Sequence, residues 1–294
     1  MPVKIERIPL KNNEKIFTDF WTGSIQDWRI DPDQILFFAQ PALENIWLYL
    51  AWDSGEICGV LANEEGPVNS IWLLFVHPDF RRRGIGSALF HCALSRICGD
   101  WKAGLGTGYW WQGVPVGCGD AFLEKRGFQW SWTSIDMLLD LDKWTSPVSE
   151  APVRVSPMNK DEGDPLLDML KNEKELVHWI PAYRALIDGN RWEKIFVARE
   201  GGRIVGSAIL MDEKEIRWHK NFPGRTGGIG CLGVREAHRG KGIGAALVIT
   251  LTNELKHLGF DQSYIGYTWL EKWYGKFGYR TVYRFKMGQR ASKL

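Results

Sequence analysis

Most of what this chain of 294 residues can fold into is fixed by one property: its sequence is written twice. Leu48-Tyr49-Leu50-Ala51-Trp52-Asp53-Ser54-Gly55-Glu56-Ile57-Cys58-Gly59 aligns with Ile195-Phe196-Val197-Ala198-Arg199-Glu200-Gly201-Gly202-Arg203-Ile204-Val205-Gly206. Ala51/Ala198, Gly55/Gly202 and Gly59/Gly206 share one offset of 147 residues. Further on, Arg81-Arg82-Arg83-Gly84-Ile85-Gly86 matches Arg239-Gly240-Lys241-Gly242-Ile243-Gly244 at an offset of 158. A third block, Glu124-Lys125-Arg126-Gly127-Phe128, matches Gly275-Lys276-Phe277-Gly278-Tyr279 at 151. Three blocks in one order, with small insertions between them, mark a diverged duplication, so both halves must adopt one fold. The second half carries eleven extra residues within Met211 to Thr226, a polar stretch holding Lys214, Arg217, His219, Lys220 and Arg225.

Each half reads as a strand, one or two helices, a hairpin with an acidic-glycine turn, and a central strand. A glycine loop opening a helix, another strand, a short helix and a final strand follow. Helices interleaved with one mixed sheet make each half a three-layer α/β/α unit of the α/β class. Ile135 to Leu141 reads as the closing strand of the first copy and Val153-Arg154-Val155 as the opening strand of the second. Trp144 to Pro152, rich in Pro, Ser and Thr, reads as the linker. The expected domains are therefore 1–145 and 151–294.

A net charge of +2 gives no footprint for nucleic acid, so none is expected as a partner. No apolar run reaches membrane-spanning length, and Met1-Pro2-Val3-Lys4-Ile5-Glu6 has no signal-peptide core, so a cytoplasmic protein without a membrane partner is expected. Cys58, Cys92, Cys98, Cys118 and Cys231 are odd in number and scattered, which predicts free thiols and no metal site. Ser292-Lys293-Leu294 spells a peroxisomal address if the source is a eukaryote. Of sixteen tryptophans, Trp47, Trp52, Trp72, Trp110, Trp111, Trp130 and Trp132 sit in strand-like runs of the first half. They read either as sheet core or as walls of an acceptor pocket.

The glycine loops carry the chemistry. Each follows an apolar run, Ser70 to Val76 or Gly228 to Val234, and opens into a helical pattern, Ser87 to Leu94 or Ala245 to Leu251. Glycine lets backbone N–H groups approach an anion, and a helix start adds unpaired donors and the positive end of its dipole. That is a phosphate or pyrophosphate site, present twice. Gly240-x-Gly242-x-x-Ala245 also fits a dinucleotide fingerprint, with Asp261 at a suitable distance. The first copy breaks that pattern with Arg82, Gly84 and Ser87, and a hairpin precedes the loop in both halves. A Walker loop is excluded because Gly242, not Ser or Thr, follows Lys241.

Arg81-x-x-Gly84-x-Gly86 and Arg239-x-x-Gly242-x-Gly244 resemble the pyrophosphate loop of the GNAT acetyltransferase superfamily, Arg/Gln-x-x-Gly-x-Gly/Ala. The resemblance covers nearly the whole chain as two consecutive domains, a layout similar to that of mycothiol synthases. It implies acetyl-CoA as co-substrate and acetyl transfer to a primary amine of a small molecule by direct attack. By resemblance, coenzyme A meets Leu74, Val76, Arg81, Arg82, Arg83, Gly84, Ile85, Gly86 and Ser87 in the first half. In the second half it meets Leu232, Val234, Arg239, Gly240, Lys241, Gly242, Ile243, Gly244 and Ala245. Backbone N–H groups around Leu74 to Val76 and Leu232 to Val234 would polarise the thioester carbonyl.

The family often uses a tyrosine four residues before the Gly-aromatic pair to protonate the departing thiolate. Tyr274 holds that position in the second half, and Leu123, which carries no proton, holds it in the first. Catalysis is therefore expected in the second half, with Tyr274 as general acid; a packed aromatic is the other reading. The first half is expected to bind coenzyme A without turnover or to use another acid such as Tyr109. Asp212, Glu213, Glu215 and Glu271 are candidates for the base, and each also reads as a solvated charge; His178 and His219 share that ambiguity. Cys118, with no His–Asp constellation, reads as structural. Two rival functions stand: a coenzyme-A-binding sensor or scaffold, and an aminoacyl transferase using charged tRNA. The Trp-rich surroundings favour a ring-bearing acceptor such as an amino sugar; oligomeric state is left open.

Overall fold

The computed structural model describes residues 3–104 and 110–291. Tyr109 and Ser292-Lys293-Leu294, singled out above, lie outside the described residues. The chain divides into two compact units, 1–135 with 283–294, and 136–282.

The first repeat contains β1 (Lys4–Pro9), α1 (Glu14–Ser24), α2 (Pro32–Ala39), β2 (Ile46–Asp53), β3 (Glu56–Glu64) and β4 (Val68–Val76). It continues with α3 (Ile85–Arg96), β5 (Asp100–Ala103), β6 (Val114–Pro115), α4 (Asp120–Glu124) and β7 (Gln129–Asp140). The second repeat contains β8 (Arg154–Pro157), α5 (Gly163–Lys171), α6 (Ile180–Asp188), β9 (Ile195–Glu200), β10 (Arg203–Met211) and β11 (Thr226–Val234). It ends with α7 (Ile243–His257), β12 (Gln262–Thr268), α8 (Glu271–Gly275) and β13 (Arg280–Arg290). The order read from the repeat is the order observed, with one addition, the two-residue strand β6 of the first repeat.

In the first unit the strands run β1-β2-β3-β4-β5, antiparallel except for the parallel pair β4–β5. The end of β13 completes this sheet: Gly288, Gln289 and Arg290 pair with Ala103, Lys102 and Trp101. In the second unit the order is β8-β9-β10-β11-β12, with the last residues of β7 beside β12. The expected domains follow chain order, whereas the compact units take the end of β13 into the first and Asp136 onward into the second.

Both hairpins close through two residues with positive φ, Ser54-Gly55 (51° and 89°) and Gly201-Gly202 (56° and 80°). Positive φ at both turn positions matches the right-handed twist of the flanking strands, and a glycine at the second position, Gly55 or Gly202, is the local signal for it. Each sheet buries an apolar face under helices. Tyr49, Leu61, Leu89, Phe90 and Trp101 centre one core, and Leu166, Leu170, Tyr183, Ile195 and Val197 the other.

The insertion between β10 and β11 forms two short 3-10 turns, Glu213–Glu215 and His219–Asn221, and buries Ile216 and Trp218. The linker is anchored at its start, where the buried Trp144 indole donates to Asn253 of α7 at 2.8 Å. Trp110 and Trp111, read above as strand, lie in a bend before β6, because their rings are drawn into an aromatic cluster instead of a sheet ladder.

Candidate active site

The two glycine loops share a left-handed backbone conformation at corresponding residues. Arg82 and Gly84 have φ of 65° and 81°, and Gly240 and Gly242 have 80° and 78°. Gly84 and Gly242 are the N-caps of α3 and α7. The first intrahelical bonds run from Ala88 to Gly84 and from Ala246 to Gly242, each 3.0 Å. The N–H groups of residues 85–87 and 243–245 therefore lack helical partners, as an anion cradle requires. Gly240 and Gly242 meet the left-handed requirement without strain, whereas Arg82 carries a Cβ there.

The side chains around the loops have local tasks. Arg81 Nε donates to the Val76 carbonyl at 2.9 Å and Arg239 Nε to the Val234 carbonyl at 3.2 Å, so the first arginine of each motif ties loop to strand end. Arg239 also reaches Glu175 at 2.8 Å, Lys241 reaches Glu200 at 3.6 Å, and Arg83 reaches Asp53 at 3.9 Å. Ile85 and Ile243 are buried, which leaves their backbone to face the loop. Ser87 Oγ accepts from Arg126 at 2.6 Å, and that guanidinium lies 3.4 Å over the Phe122 ring. A Cβ placed on Gly86 would meet Phe122, and one on Gly244 would meet Trp273, so an aromatic of the following short helix covers each second glycine.

The central strands differ. In the first unit β4 pairs regularly with β3 from Leu73 to Val76, with one bulge at Trp72. Leu74 and Val76 thus sit in an ordinary ladder opposite Leu61 and Gly59. In the second unit the bulge falls nearer the loop: Cys231 and Leu232 together oppose Ala208 of β10. Cys231 has φ of 47°, a left-handed conformation on a residue that is not glycine. On its other side β11 pairs with β12 only from Thr226 to Gly228, and beyond that point the two strands part, much as β4 pairs with β5 only from Val68 to Ile71. Where β11 has Gly230, β4 has Trp72.

Trp21, Trp72, Trp101, Trp110 and Trp111 of the first unit are core, whereas Trp47, Trp52, Trp130 and Trp132 are half-buried. Trp72, Trp110 and Trp21 are buried, and their rings meet at 5.0 Å (Trp72–Trp110) and 5.4 Å (Trp21–Trp110). Their N–H groups are satisfied by Glu64, by the Ile35 carbonyl and by the Trp28 carbonyl. Phe17 stacks on Trp110 at 4.8 Å, which closes the space beside Trp72 on β4.

Tyr274 lies in α8, buried against Trp273 and Tyr279 with ring separations of 4.7 and 5.9 Å. Burial, then the neighbouring Tyr279, pushes its phenol well above the ordinary range, so it keeps its proton throughout the physiological interval. Leu123, its counterpart in α4, belongs to the first core. The four base candidates are engaged elsewhere. Asp212 caps the 3-10 turn by accepting from Lys214 N–H at 3.1 Å; burial opposes its charge, but the Lys194 ammonium holds its carboxyl below the usual range. Glu215 pairs with Lys194 and Arg191 at 3.1 Å each, and Glu213 lies 3.7 Å from Arg225. Glu271 accepts from the Thr281 hydroxyl at 2.7 Å. His178 lies edge-on to Trp179 at 5.3 Å, and His219 forms part of the second 3-10 turn.

Family profiles match twice: an "Acetyltransferase (GNAT) domain" at residues 44–130 and the "Acetyltransferase (GNAT) family" at 163–279. The chain belongs to the GNAT acetyltransferase family. Its two GNAT domains are in tandem, with a mixed sheet and flanking helices in each.

Solved structures share this fold across nearly the whole chain. One is described as a GCN5-related glucosamine N-acetyltransferase region of a fungal multi-domain GH3 beta-N-acetylglucosaminidase. It has a TM-score of 0.82 and 24% identity, covering 98% of this chain and 38% of that one. A GCN5-related N-acetyltransferase from Sphaerobacter thermophilus follows at 0.68 and 15%, covering 99% and 96%. A tandem GNAT protein from the clavulanic acid biosynthesis pathway stands at 0.67 and 16%, covering 99% of each chain. Identities this low establish the fold alone. No curated protein sequence matches the chain.

Two groups on the backbone of β11 and β12 escaped the sequence reading: the Tyr183 hydroxyl, on the carbonyl of Cys231, and the Asp136 carboxylate, on the amide of Tyr267. A charge inside the apolar run Ile135 to Leu139 was the available signal for Asp136. Tyr183 had none beyond its helical spacing from Leu176 and Trp179.

Proposed function

We propose that this chain is an acetyl-CoA-dependent N-acetyltransferase acting on the primary amine of a small molecule, with its chemistry in the second unit. One observation carries the reading. The loops are alike, but the second unit joins its loop to a bulge beside Gly230 and a tyrosine on the short helix, where the first has Trp72 and Leu123.

In this reading Gly240 to Ala245 hold the pyrophosphate through backbone N–H groups, and Leu232 N–H, skipped by the ladder with β10, polarises the thioester carbonyl. A neutral amine attacks that carbonyl, the ammonium of the tetrahedral adduct gives its proton to water, from which the Tyr274 phenol is later restored, and the adduct collapses as the C–S bond breaks. Tyr274 gives its phenolic proton to the departing thiolate. The desolvation that raises the phenol also raises a thiol brought in beside it, so donor and acceptor stay matched. The first unit binds coenzyme A through Arg81 to Ser87 without turnover, since side chains fill the space next to its central strand.

The acceptor we favour is an amino sugar. Support comes from the fungal structure, described as a glucosamine N-acetyltransferase region, and from Trp269, 64% exposed at the end of β12 beside α8. Indole faces stack on sugar rings and leave the amine to be placed by polar groups. The test is thiol release from acetyl-CoA with glucosamine as acceptor, in wild type and Tyr274→Phe. Wild-type turnover, with kcat reduced ~100-fold in the variant and KM for acetyl-CoA little changed, is the expected result. Unchanged turnover in Tyr274→Phe removes its role, and no release with any primary amine removes the activity.

A further inference from the structure

The parted strands of the second unit each carry one residue, not glycine, in the left-handed region: Cys231 on β11, with φ of 47°, and Tyr267 on β12, with φ of 56°. Such a conformation is strained on a residue with a Cβ, and it persists only where the surroundings over-determine it. Among the described residues, β4 of the first unit carries none.

Each strained residue is held by a buried polar side chain from a third element. Tyr183 of α6 is fully buried and donates its O–H to the Cys231 carbonyl at 2.7 Å. Its oxygen lies 2.9 Å from Ser207 Oγ, which donates in return because the tyrosine proton is committed to Cys231. Opposite, Asp136 is 1% exposed and accepts the Tyr267 N–H at 2.9 Å through Oδ1. Its Oδ2 accepts the Tyr264 hydroxyl, and the Arg217 guanidinium adds an opposite charge.

A trans peptide is planar, with its C=O and N–H pointing in opposite directions. Fixing the Cys231 carbonyl on Tyr183 therefore turns the Leu232 N–H away from α6. Fixing the Tyr267 N–H on Asp136 turns the Gly266 carbonyl away from that carboxylate. One donor and one acceptor, on strands that no longer satisfy each other, are set by two side chains that need not touch substrate.

We infer that Tyr183 and Asp136 are positioning residues, which lock the backbone of the two lips of the cleft so that the Leu232 N–H and the Gly266 carbonyl are presented to the reactants. This inference rests on the second unit being the catalytic one. Other tasks for the pair are distinguishable. A proton-carrying Asp136 needs an ionisable group, whereas a lock needs only an oxygen that accepts from Tyr267. A plain core role for Tyr183 would change stability without changing kcat selectively.

The experiment compares Tyr183→Phe, Asp136→Ala and Asp136→Asn with wild type for thiol release, acetyl-CoA affinity by calorimetry, and backbone amide exchange over 262–270. Tyr183→Phe and Asp136→Ala are expected to lose at least about tenfold in kcat, with KM for the amine within about twofold. Asp136→Asn recovers most of the rate, because its amide oxygen still accepts from Tyr267. Combining Tyr183→Phe with Cys231→Gly, where the left-handed conformation is unstrained, restores part of the lost rate. An Asp136→Asn enzyme as inactive as Asp136→Ala, or full kcat in Tyr183→Phe, overturns the inference. Amide exchange is independent of turnover: Asp136→Ala deprotects 262–270 and Asp136→Asn does not. That arm decides the lock at Asp136 even if wild type acetylates no amine, an outcome that instead counts against the proposed function.

Discussion

Asp136 is the residue whose chemistry departs furthest from what its neighbours promise. It stands between Ile135 and Met137 in a strand whose next residues, Leu138 and Leu139, are buried, and burial pushes its carboxyl up to about 6. The Tyr264 hydroxyl, the Tyr267 N–H and the Arg217 charge all pull the other way and only partly offset the desolvation. An unfolded aspartate releases its proton near ~3.9, so between that pH and about 6 the folded chain binds more protons than the unfolded one. The stability Asp136 contributes is thus complete below pH ~4 and is lost as pH rises through about 6. Asparagine cannot ionise. Asp136→Asn is expected to gain stability over wild type on going from pH 4 to pH 7, by about 3 kcal/mol at most. Urea unfolding of both proteins at the two pH values checks this, and an equal difference at both would refute it.

At the scale of elements, β13 decides which unit depends on which part of the chain. Its first residues belong with 136–282, whereas from Tyr283 onward it belongs with 1–135. There it pairs with β5 at Trp101 to Ala103 and with β6 at Val114 and Pro115, and it buries Phe285 and Met287 completely. A chain ending after Val282 is therefore expected to expose the β5 edge. Hydrogen exchange should rise at 101–103 in the first unit while α7 and β11 keep their protection; unchanged exchange at 101–103 would count against it. The repeat, the hairpins and the glycine loops were legible in the sequence because local chemistry dictates them: positive φ at a turn, unpaired N–H groups at a helix start. The destination of the last strand was not, since β13 meets β5 more than 180 residues back along the chain. The two locks at the cleft were hidden for the same reason. Tyr183 and Asp136 act on backbone atoms 48 and 131 residues away, and backbone atoms leave no mark in a sequence.

For the whole molecule, the duplication has kept two glycine loops of one backbone conformation and, on the proposed function, one open cleft, and this makes binding and turnover separable. Each loop has the same left-handed pair and the same unpaired N–H groups, so each is expected to take one coenzyme A. On the proposed function, turnover needs more: room beside the central strand and a proton donor on the short helix. The first unit fills that room with Trp72, Trp110, Trp21 and Phe17, and places Leu123 where the donor would be. Calorimetric titration with acetyl-CoA is accordingly expected to give two sites per chain. Gly242→Val puts a β-branched side chain at φ of 78°, with Ala151 only 3.5 Å from its Cβ. It should remove one site and abolish thiol release together, because the loop it distorts belongs to the open cleft. One site in wild type, lost in Gly242→Val, would mean that the first loop keeps the shape of a cradle without its affinity. The arginine at φ of 65° in that loop, where the second has Gly240, would then be the first place to look for the reason. Two sites both surviving in Gly242→Val would show that the anion is held elsewhere than on the helix starts.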